Sequence, residues 1–254
     1  MSCGFTKPCE RRVILFFAAL AFVLYNGYEC LNRTYSRLVP IVLKYLRTNI
    51  KGVDIKIVWI LVFGLVLIWS GIHPKDQITW FLEVLPVLVG VLVLALTYSR
   101  FRLTPLLYFL ILVHCIILMV GGHYTYAEVP LFDWLKEPFD WSRNNYDKLG
   151  HLVQGFVPAM IAREIIIRKQ IIQKSFWQGF FIVSFCLALS ALYEVLEWWV
   201  ALFSEEAAEA FLGTQGYIWD TQSDMMYALI GSLLALGLLS KWHNAQLAQL
   251  KSGK

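Results

Sequence analysis

Residues 78–99 read ITWFLEVLPVLVGVLVLALTYS, an apolar run with a single charged residue, Glu83. A bilayer hydrocarbon core of about 30 Å takes roughly 20 residues of helix to cross, so this run is long enough to span a membrane. Five further apolar runs occupy residues 57–72, 103–122, 149–167, 176–203 and 217–240. The sequence therefore predicts an all-α fold, a polytopic transmembrane helical bundle with six spans.

The composition excludes an ordinary soluble domain, because 58% of the 254 residues are hydrophobic and only 16% are charged. The net charge of +4 does not indicate nucleic-acid binding, since the lysines and arginines stand in short loops beside apolar runs. The five cysteines form no C-x-x-C pair, which argues against a disulfide framework and a zinc knuckle.

The amino-terminal region carries a shorter apolar run, residues 13–28, that could span as a seventh helix, lie in the interface or serve as an uncleaved anchor. Residues 31–56 interleave six basic residues with apolar ones and predict an amphipathic connector on an anionic membrane surface. We therefore expect three parts: residues 1–56 with the apolar segment and connector, a six-helix domain at 57–240, and a cytoplasmic tail at 241–254.

The distribution of charge between the loops predicts the orientation. Arg100 and Arg102 stand in one loop, basic residues recur at 168–174, and others follow residue 240. The loops between these, 123–148 and 204–219, are rich in Asp and Glu. Because cytoplasmic loops carry the excess of Lys and Arg, the carboxyl terminus is expected in the cytoplasm and the acidic loops outside.

Ionisable residues gather near the predicted outer ends of several spans, where they cost less than at the bilayer centre. Glu194 lies 18 residues into its helix, about 27 Å across the membrane at 1.5 Å per residue. Spacings of three, four or seven residues place each group on one helical face, which must turn inward in lipid. The predicted outward-facing pocket comprises His123, Asp147, His151, Glu194, Glu197, Asp220 and Asp224, with Glu83, Tyr124 and Gln154 beside them.

These residue types allow both a chemical and a structural interpretation. In the first, His151 is a general acid/base with Asp147, Glu194 and Asp224 as partners. His123, Glu197 and Asp220 are then candidate ligands of a divalent metal, although no H-E-x-x-H motif fixes one. In the second, Asp147 complements a helix dipole, Asp220 caps the last helix, and the carboxylates pair with Lys148 or Arg143.

Three stretches carry a family resemblance: GGHYTY at 121–126, NNYDKLGHLVQGF at 144–156 and GTQGYIWDTQSDM at 213–225. In these the chain resembles the YjdF family of bacterial inner-membrane proteins, over residues 55–240. More distantly, D-K-x-x-H at 147–151 and D-x-x-x-D at 220–224 are similar to VanZ-like proteins, which are linked to glycopeptide-antibiotic tolerance. The resemblance implies a multi-pass protein of the bacterial inner membrane and supplies no reaction.

Three functions remain open on the sequence. The first is binding, and chemical modification, of a lipid-linked or envelope substrate at the outer leaflet, with membrane lipids as partners. The second is a small-solute or ion-coupled transporter, and the third is a non-catalytic membrane scaffold whose polar residues hold helices together. The chain has no G-x-S-x-G, H-E-x-x-H or P-loop motif that would assign it to a known enzyme class.

Overall fold

Helices joined by short loops make up the part of the chain that the computed structural model describes, residues 55–203 and 214–252. No strand occurs in those ranges, which confirms the predicted all-α class. The run at 13–28 lies outside the described residues, as does the connector up to residue 54. The helices are α1 (Ile55–Gly71), α2 (Gln77–Thr97), α3 (Pro105–Tyr124), α4 (Pro130–Phe139), α5 (Tyr146–Lys169), α6 (Ser175–Phe203) and α7 (Asp220–Ser252), and a 3-10 helix, Tyr126–Glu128, precedes α4.

Four of these helices, α2, α3, α6 and α7, are long and apolar enough to cross a membrane. Their large side chains face outward, as Leu92, Val93 and Leu96 of α2 do, all of which are exposed. An apolar outer surface of this extent suits hydrocarbon rather than water. The membrane-spanning class of the fold is therefore confirmed.

The other two predicted spans differ from these four for physical reasons. Helix α1 is apolar but has only 17 residues, short of the roughly 20 that a full crossing takes. Helix α5 has 24 residues but carries charged groups in its first and last turns, including Asp147 and Arg168. Its buried face includes Lys148, His151 and Glu164. A helix of this polarity is stable inside an apolar bundle only if its neighbours supply partners for these groups.

Helices α5 and α7 approach each other more closely than ordinary side chains allow. A Cβ atom added at Gly155 of α5 would overlap the carbonyl oxygen of Ala228, and one added at Gly231 of α7 would overlap that of Leu152. Small residues permit such approaches in membrane helices, where van der Waals packing replaces the hydrophobic driving force. The contact fixes the two helices side by side and so sets the positions of their polar groups.

Helices α2, α5 and α7 begin at one end of the bundle, and helices α1, α3 and α6 end there. This end is called the site end. At the opposite end, the buried Glu164 of α5 accepts hydrogen bonds from Thr104 Oγ1 (2.8 Å) and Arg168 Nη1 (2.7 Å) and contacts His243 Nε2 at 2.9 Å. Arg163 Nη1 lies 2.8 Å from Nδ1 of the same histidine. These contacts join α3, α5 and α7.

Helix α7 continues to Ser252 and does not end near residue 240 as the hydropathy pattern indicates. Its extra turns place the buried His243 and Leu247 against the bundle, so the predicted tail is mostly helical and packed. Its 33 residues measure about 50 Å at 1.5 Å per residue, longer than a hydrocarbon core of about 30 Å. Packing of these two residues explains the longer helix, which apolar content alone does not reveal.

A short amphipathic helix, α4, lies in the region that the sequence predicts as an acidic loop. Pro130 occupies its first turn, where a missing N–H has no cost. Leu131, Trp134 and Phe139 are exposed, while Asp133 forms an ion pair with Lys136 at 2.7 Å. This combination is typical of a helix that lies along a membrane interface.

We expect the substitution Gly155→Ala to destabilise the protein, because the new methyl group must separate α5 from α7. The cost of overpacking is typically about 1–3 kcal/mol, and more where backbone atoms must move. The matched control is Gly237→Ala in α7, where an added Cβ meets no atom within 4 Å. Thermal unfolding in detergent, followed by fluorescence-detected size exclusion, should show a lower midpoint for Gly155→Ala only. Equal midpoints for the two variants would contradict the close contact.

Candidate functional site

Polar side chains from four helices meet at the site end of the bundle, because these helices begin or end there. Asp147 and His151 come from the first turns of α5, Asp220 and Asp224 from those of α7, and Glu194 and Glu197 from near the end of α6. Glu83 lies in the second turn of α2. All seven residues are buried. The structure thus brings together six carboxyl groups and one imidazole.

His151 lies between two carboxylates. Its Nε2 atom is 3.4 Å from Asp147 Oδ1, one turn earlier on α5, and 3.6 Å from Glu194 Oε1 on α6. Its Nδ1 atom is buried without a hydrogen-bond partner, as is Glu194 Oε1. The Tyr193 ring stands edge-on to the imidazole, with centroids 6.3 Å apart. The imidazole is therefore held beside acceptors for a proton and retains an unused nitrogen.

Two permanent cations pair with the carboxylates of α7. Arg143 Nη1 lies 2.5 Å from Asp220 Oδ1, and Lys148 Nζ lies 3.4 Å from the same atom and 3.2 Å from Asp224 Oδ1. Lys148 also donates a hydrogen bond to Ser223, and its ammonium group lies 5.1 Å from the centre of the Tyr217 ring. The structural interpretation of the sequence includes these two aspartates among the carboxylates expected to pair with Lys148 or Arg143.

The carboxyl group of Glu83 lies among tyrosine hydroxyls. Tyr193 of α6 donates a hydrogen bond to Glu83 Oε2 at 3.0 Å, and the hydroxyl of Tyr126 lies nearby. The Tyr126 ring packs against Gly121 and Gly150, which have no side chain to block it. Burial raises the pKa of Tyr126 well above its ordinary value, so this phenol stays protonated and can donate.

Negative groups outnumber positive ones in the site. Six carboxyl groups face two permanent cations, Arg143 and Lys148, and both of these contact the α7 aspartates. Glu197 lies close enough to Glu194, Asp147 and Glu83 to interact with them electrostatically. Isolated carboxylates are costly to bury, so the excess must be neutralised by protons, by His151 in its charged form or by a bound cation.

The structure places two predicted pocket residues, His123 and Tyr124, in aromatic packing at the end of α3. His123 Nδ1 lies 3.0 Å from the carbonyl oxygen of Ser70, and its ring centre is 4.5 Å from that of Trp69. The Tyr124 ring stands edge-on to it, with centroids 4.6 Å apart. Gln154 lies one turn beyond His151, and its Oε1 atom is buried without a hydrogen-bond partner.

Among the described residues, the acidic and imidazole groups closest together form a different trio from the predicted metal ligands. One ligand atom each of Asp147, His151 and Asp224 lies within 4.8 Å of the other two. The predicted trio was His123, Glu197 and Asp220, of which His123 contacts α1 rather than the carboxylates. A metal role for that trio stays a prediction.

Sequence reasoning missed two polar residues of the site. Tyr193 is adjacent to Glu194, but its bond to Glu83 depends on how α2 and α6 pack, which no local pattern encodes. Thr221, in the first turn of α7, lies close to Glu194. Tyr193 stands four residues before Glu197, and Thr221 stands four residues before Met225. These spacings do not form polar stripes on the helices that would have identified both residues.

A shallow cavity of about 320 Å³ lies next to the buried carboxylates. Asp220 belongs both to its lining and to the ion pairs with Arg143 and Lys148, so it connects the cavity to the site. The cavity is open to the surroundings of the bundle at the site end. Its lining residues are Thr214, Gly216, Tyr217, Ile218, Asp220 and Thr221.

Comparison with known proteins identifies the family. Residues 55–245 match a family described as "Predicted membrane protein (DUF2238)". The chain is also 50% identical, over 187 residues, to the inner membrane protein YjdF of Escherichia coli (strain K12), and the match covers 74% of this chain and 90% of that protein. No solved structure matches the chain.

The match confirms the resemblance to YjdF, whereas the more distant likeness to VanZ-like proteins stays a prediction. The family match covers helices α1 to α6 and continues into α7 as far as residue 245. It therefore contains the whole polar site. The apolar helices and the E. coli relative together support a multi-pass protein of the inner membrane. The chain therefore belongs to the DUF2238 family of membrane proteins.

Proposed function

We propose that the protein binds a lipid-linked or headgroup substrate at the periplasmic face of the inner membrane and modifies it by proton transfer, with His151 as the acid/base. The observation that carries this proposal is the position of the His151 imidazole between Asp147 and Glu194. An imidazole placed between carboxylates is a common general acid or base in enzyme sites. Pairs of groups of this kind are common in sites that carry out acid–base chemistry.

The depth of the site supports a substrate that is anchored in the membrane. The buried carboxylates lie at the ends of α5, α6 and α7, and the neighbouring helix α4 exposes Leu131, Trp134 and Phe139. The cavity beside Asp220 opens at the same end, so a lipid headgroup can reach Asp220 without entering the bundle. A soluble substrate would not need a site at this level.

The apolar interior of the bundle favours a protein that binds its substrate at one face of the membrane over a transporter. Between the two polar ends, the core is packed with apolar side chains, and Leu107, Met160 and Ile182 are almost completely buried. The glycine contact between α5 and α7 closes the same region. A transporter needs polar groups or a cavity that continue toward the second face.

The orientation of the site is a further part of the proposal. Contacts of Glu164 with Thr104 and His243 place the basic loop after α2, the basic end of α5 and the end of α7 together, opposite the site. The excess of Lys and Arg at that end supports a cytoplasmic location for it. The carboxyl terminus is then cytoplasmic and the site periplasmic.

A scaffold is the second candidate, because the pairs of Arg143 with Asp220 and of Lys148 with Asp224 join α7 to α5 and the loop before it. Such contacts stabilise helix association whether or not a reaction takes place. In a scaffold, loss of His151 would matter only through stability. The two candidates therefore differ in what a stable His151 variant does in the cell.

The first test compares strains of the source bacterium that lack the protein or carry His151→Gln. We expect deletion to change the abundance of at least one lipid or lipid-linked envelope precursor, measured by mass spectrometry of total extracts. The wild-type protein should restore the profile, and His151→Gln should not, although it accumulates normally in the membrane. The matched control, His73→Gln, changes an exposed histidine in the loop between α1 and α2 and should restore it. Full restoration by His151→Gln would contradict the proposal.

The second test concerns orientation and uses reporter fusions. A green fluorescent protein fused after Lys254 should fluoresce, because this reporter matures in the cytoplasm. Alkaline phosphatase fused after Asp140, in the loop between α4 and α5, should be active, because it folds in the periplasm. The reverse pair of results would place the site in the cytoplasm and overturn the proposed face.

The third test measures the ion pairs. Asp220→Ala removes the buried carboxylate that Arg143 and Lys148 share, so we expect a loss of up to about 3 kcal/mol and a clearly lower thermal midpoint in detergent. The control is Glu128→Ala, which removes an exposed ion pair with Lys75 and should cost no more than about 1 kcal/mol. Similar midpoints for the two variants would show that the buried pairs contribute little.

A further inference from the structure

We propose that Asp147, His151 and Asp224 bind a divalent transition-metal ion. This inference rests on the proposed function, because it supplies the same site with a cofactor, but it is tested without any activity. The three residues come from two helices, Asp147 and His151 from α5 and Asp224 from α7. One candidate ligand atom from each lies within 4.8 Å of the others.

The spacing suits a single ion. Zinc ligands stand about 2.0–2.2 Å from the metal, so the donor atoms of a tetrahedral site are roughly 3.5 Å apart. The three atoms lie within 4.8 Å of one another. Side-chain rotations that move each ligand atom by about 1 Å bring them to that geometry. The glycine contact between α5 and α7 keeps the two helices in place while this happens.

A separate observation points to a ligand at this position. Glu194, on a third helix, is buried and directs Oε1 toward His151 Nε2 at 3.6 Å, yet that oxygen has no hydrogen-bond partner. His151 Nδ1 is likewise buried and unpartnered. Buried polar atoms are almost always paired in proteins, so unpaired ones need an explanation. A metal ion, or a water molecule bound to it, would satisfy Glu194.

The charge of the site favours a cation there. Arg143 and Lys148 contact the α7 aspartates, and this leaves Asp147, Glu83, Glu194 and Glu197 to be balanced mainly by other means. A divalent ion bound by the trio would have Asp147 as a ligand and Glu194 close by. Lys148 Nζ lies 3.2 Å from Asp224 Oδ1, so Asp224 would be shared between the lysine and the metal.

The donor set restricts the identity of the ion. An imidazole nitrogen with carboxylate oxygens suits Zn²⁺, Mn²⁺ or Fe²⁺, whereas Mg²⁺ and Ca²⁺ prefer oxygen ligands alone. Three protein ligands leave at least one coordination position for water or substrate, as in catalytic zinc sites. When bound, such an ion supplies Lewis-acid chemistry and lowers the pKa of its water.

The test uses the full-length protein in detergent, purified with a tag that contains no histidine and dialysed against a chelator. Zn²⁺ and Mn²⁺ are then titrated separately, and bound metal is measured by elemental analysis after equilibrium dialysis. We expect one equivalent of one of these ions to bind. The variant Asp224→Asn should bind at least about a hundredfold more weakly, since loss of even an outer-shell partner costs up to that factor. The control Asp133→Asn, which changes an aspartate of α4 paired with Lys136, should bind like the wild type.

A spectroscopic measurement keeps the proposal testable if Asp224→Asn fails to fold. Pulsed electron paramagnetic resonance of the Mn²⁺-loaded wild-type protein should show nitrogen coupling from one imidazole, and His151→Gln should lose it. Absence of stoichiometric binding of either ion to the wild type would overturn the inference, as would nitrogen coupling that survives in His151→Gln. Metal binding together with an unchanged lipid profile in the deletion strain would reject the proposed function and leave the metal site standing.

Discussion

The contact between α5 and α7, where Gly155 meets the backbone of Ala228, is the constraint on which the rest of the structure depends. Helix α5 carries charged and imidazole groups at both of its ends, and these would be costly beside lipid. Because α7 lies directly against it, Asp224 can reach Lys148 at the site end and His243 can reach Glu164 at the other. Helices α3 and α6 also pack against α5.

The two ends of this helix pair differ in how completely their polar atoms are satisfied. At the opposite end, both oxygens of Glu164 are hydrogen-bonded, and the cluster there holds the helices together. At the site end, His151 Nδ1, Gln154 Oε1 and Glu194 Oε1 are buried without hydrogen-bond partners. Natural proteins tolerate such atoms mainly where function requires them. This asymmetry is why the proposed chemistry belongs to one end only.

Much of the architecture could be predicted from the sequence, because apolar run length and charge bias report directly on helices that cross a bilayer. Counting residues along each helix predicted that Glu194 and Asp224 lie at the same end of the bundle, and both are buried at the site end. Other features depend on tertiary packing that no local pattern encodes. The bond from Tyr193 to Glu83 and the burial of His243 in the extended α7 are of this kind. The aromatic packing of His123 beside Trp69 is another.

A double-mutant cycle between Lys148 and Asp224 tests most directly whether the polar groups of α5 and α7 meet inside the bundle. Lys148→Met and Asp224→Leu should each lower the free energy of unfolding, since each removes one member of a buried ion pair. The double variant should lose less than the sum of the two single losses, with a coupling energy of roughly 0.5–3 kcal/mol. Strictly additive losses would mean that the two side chains do not interact, and the proposed assembly of the site would be wrong.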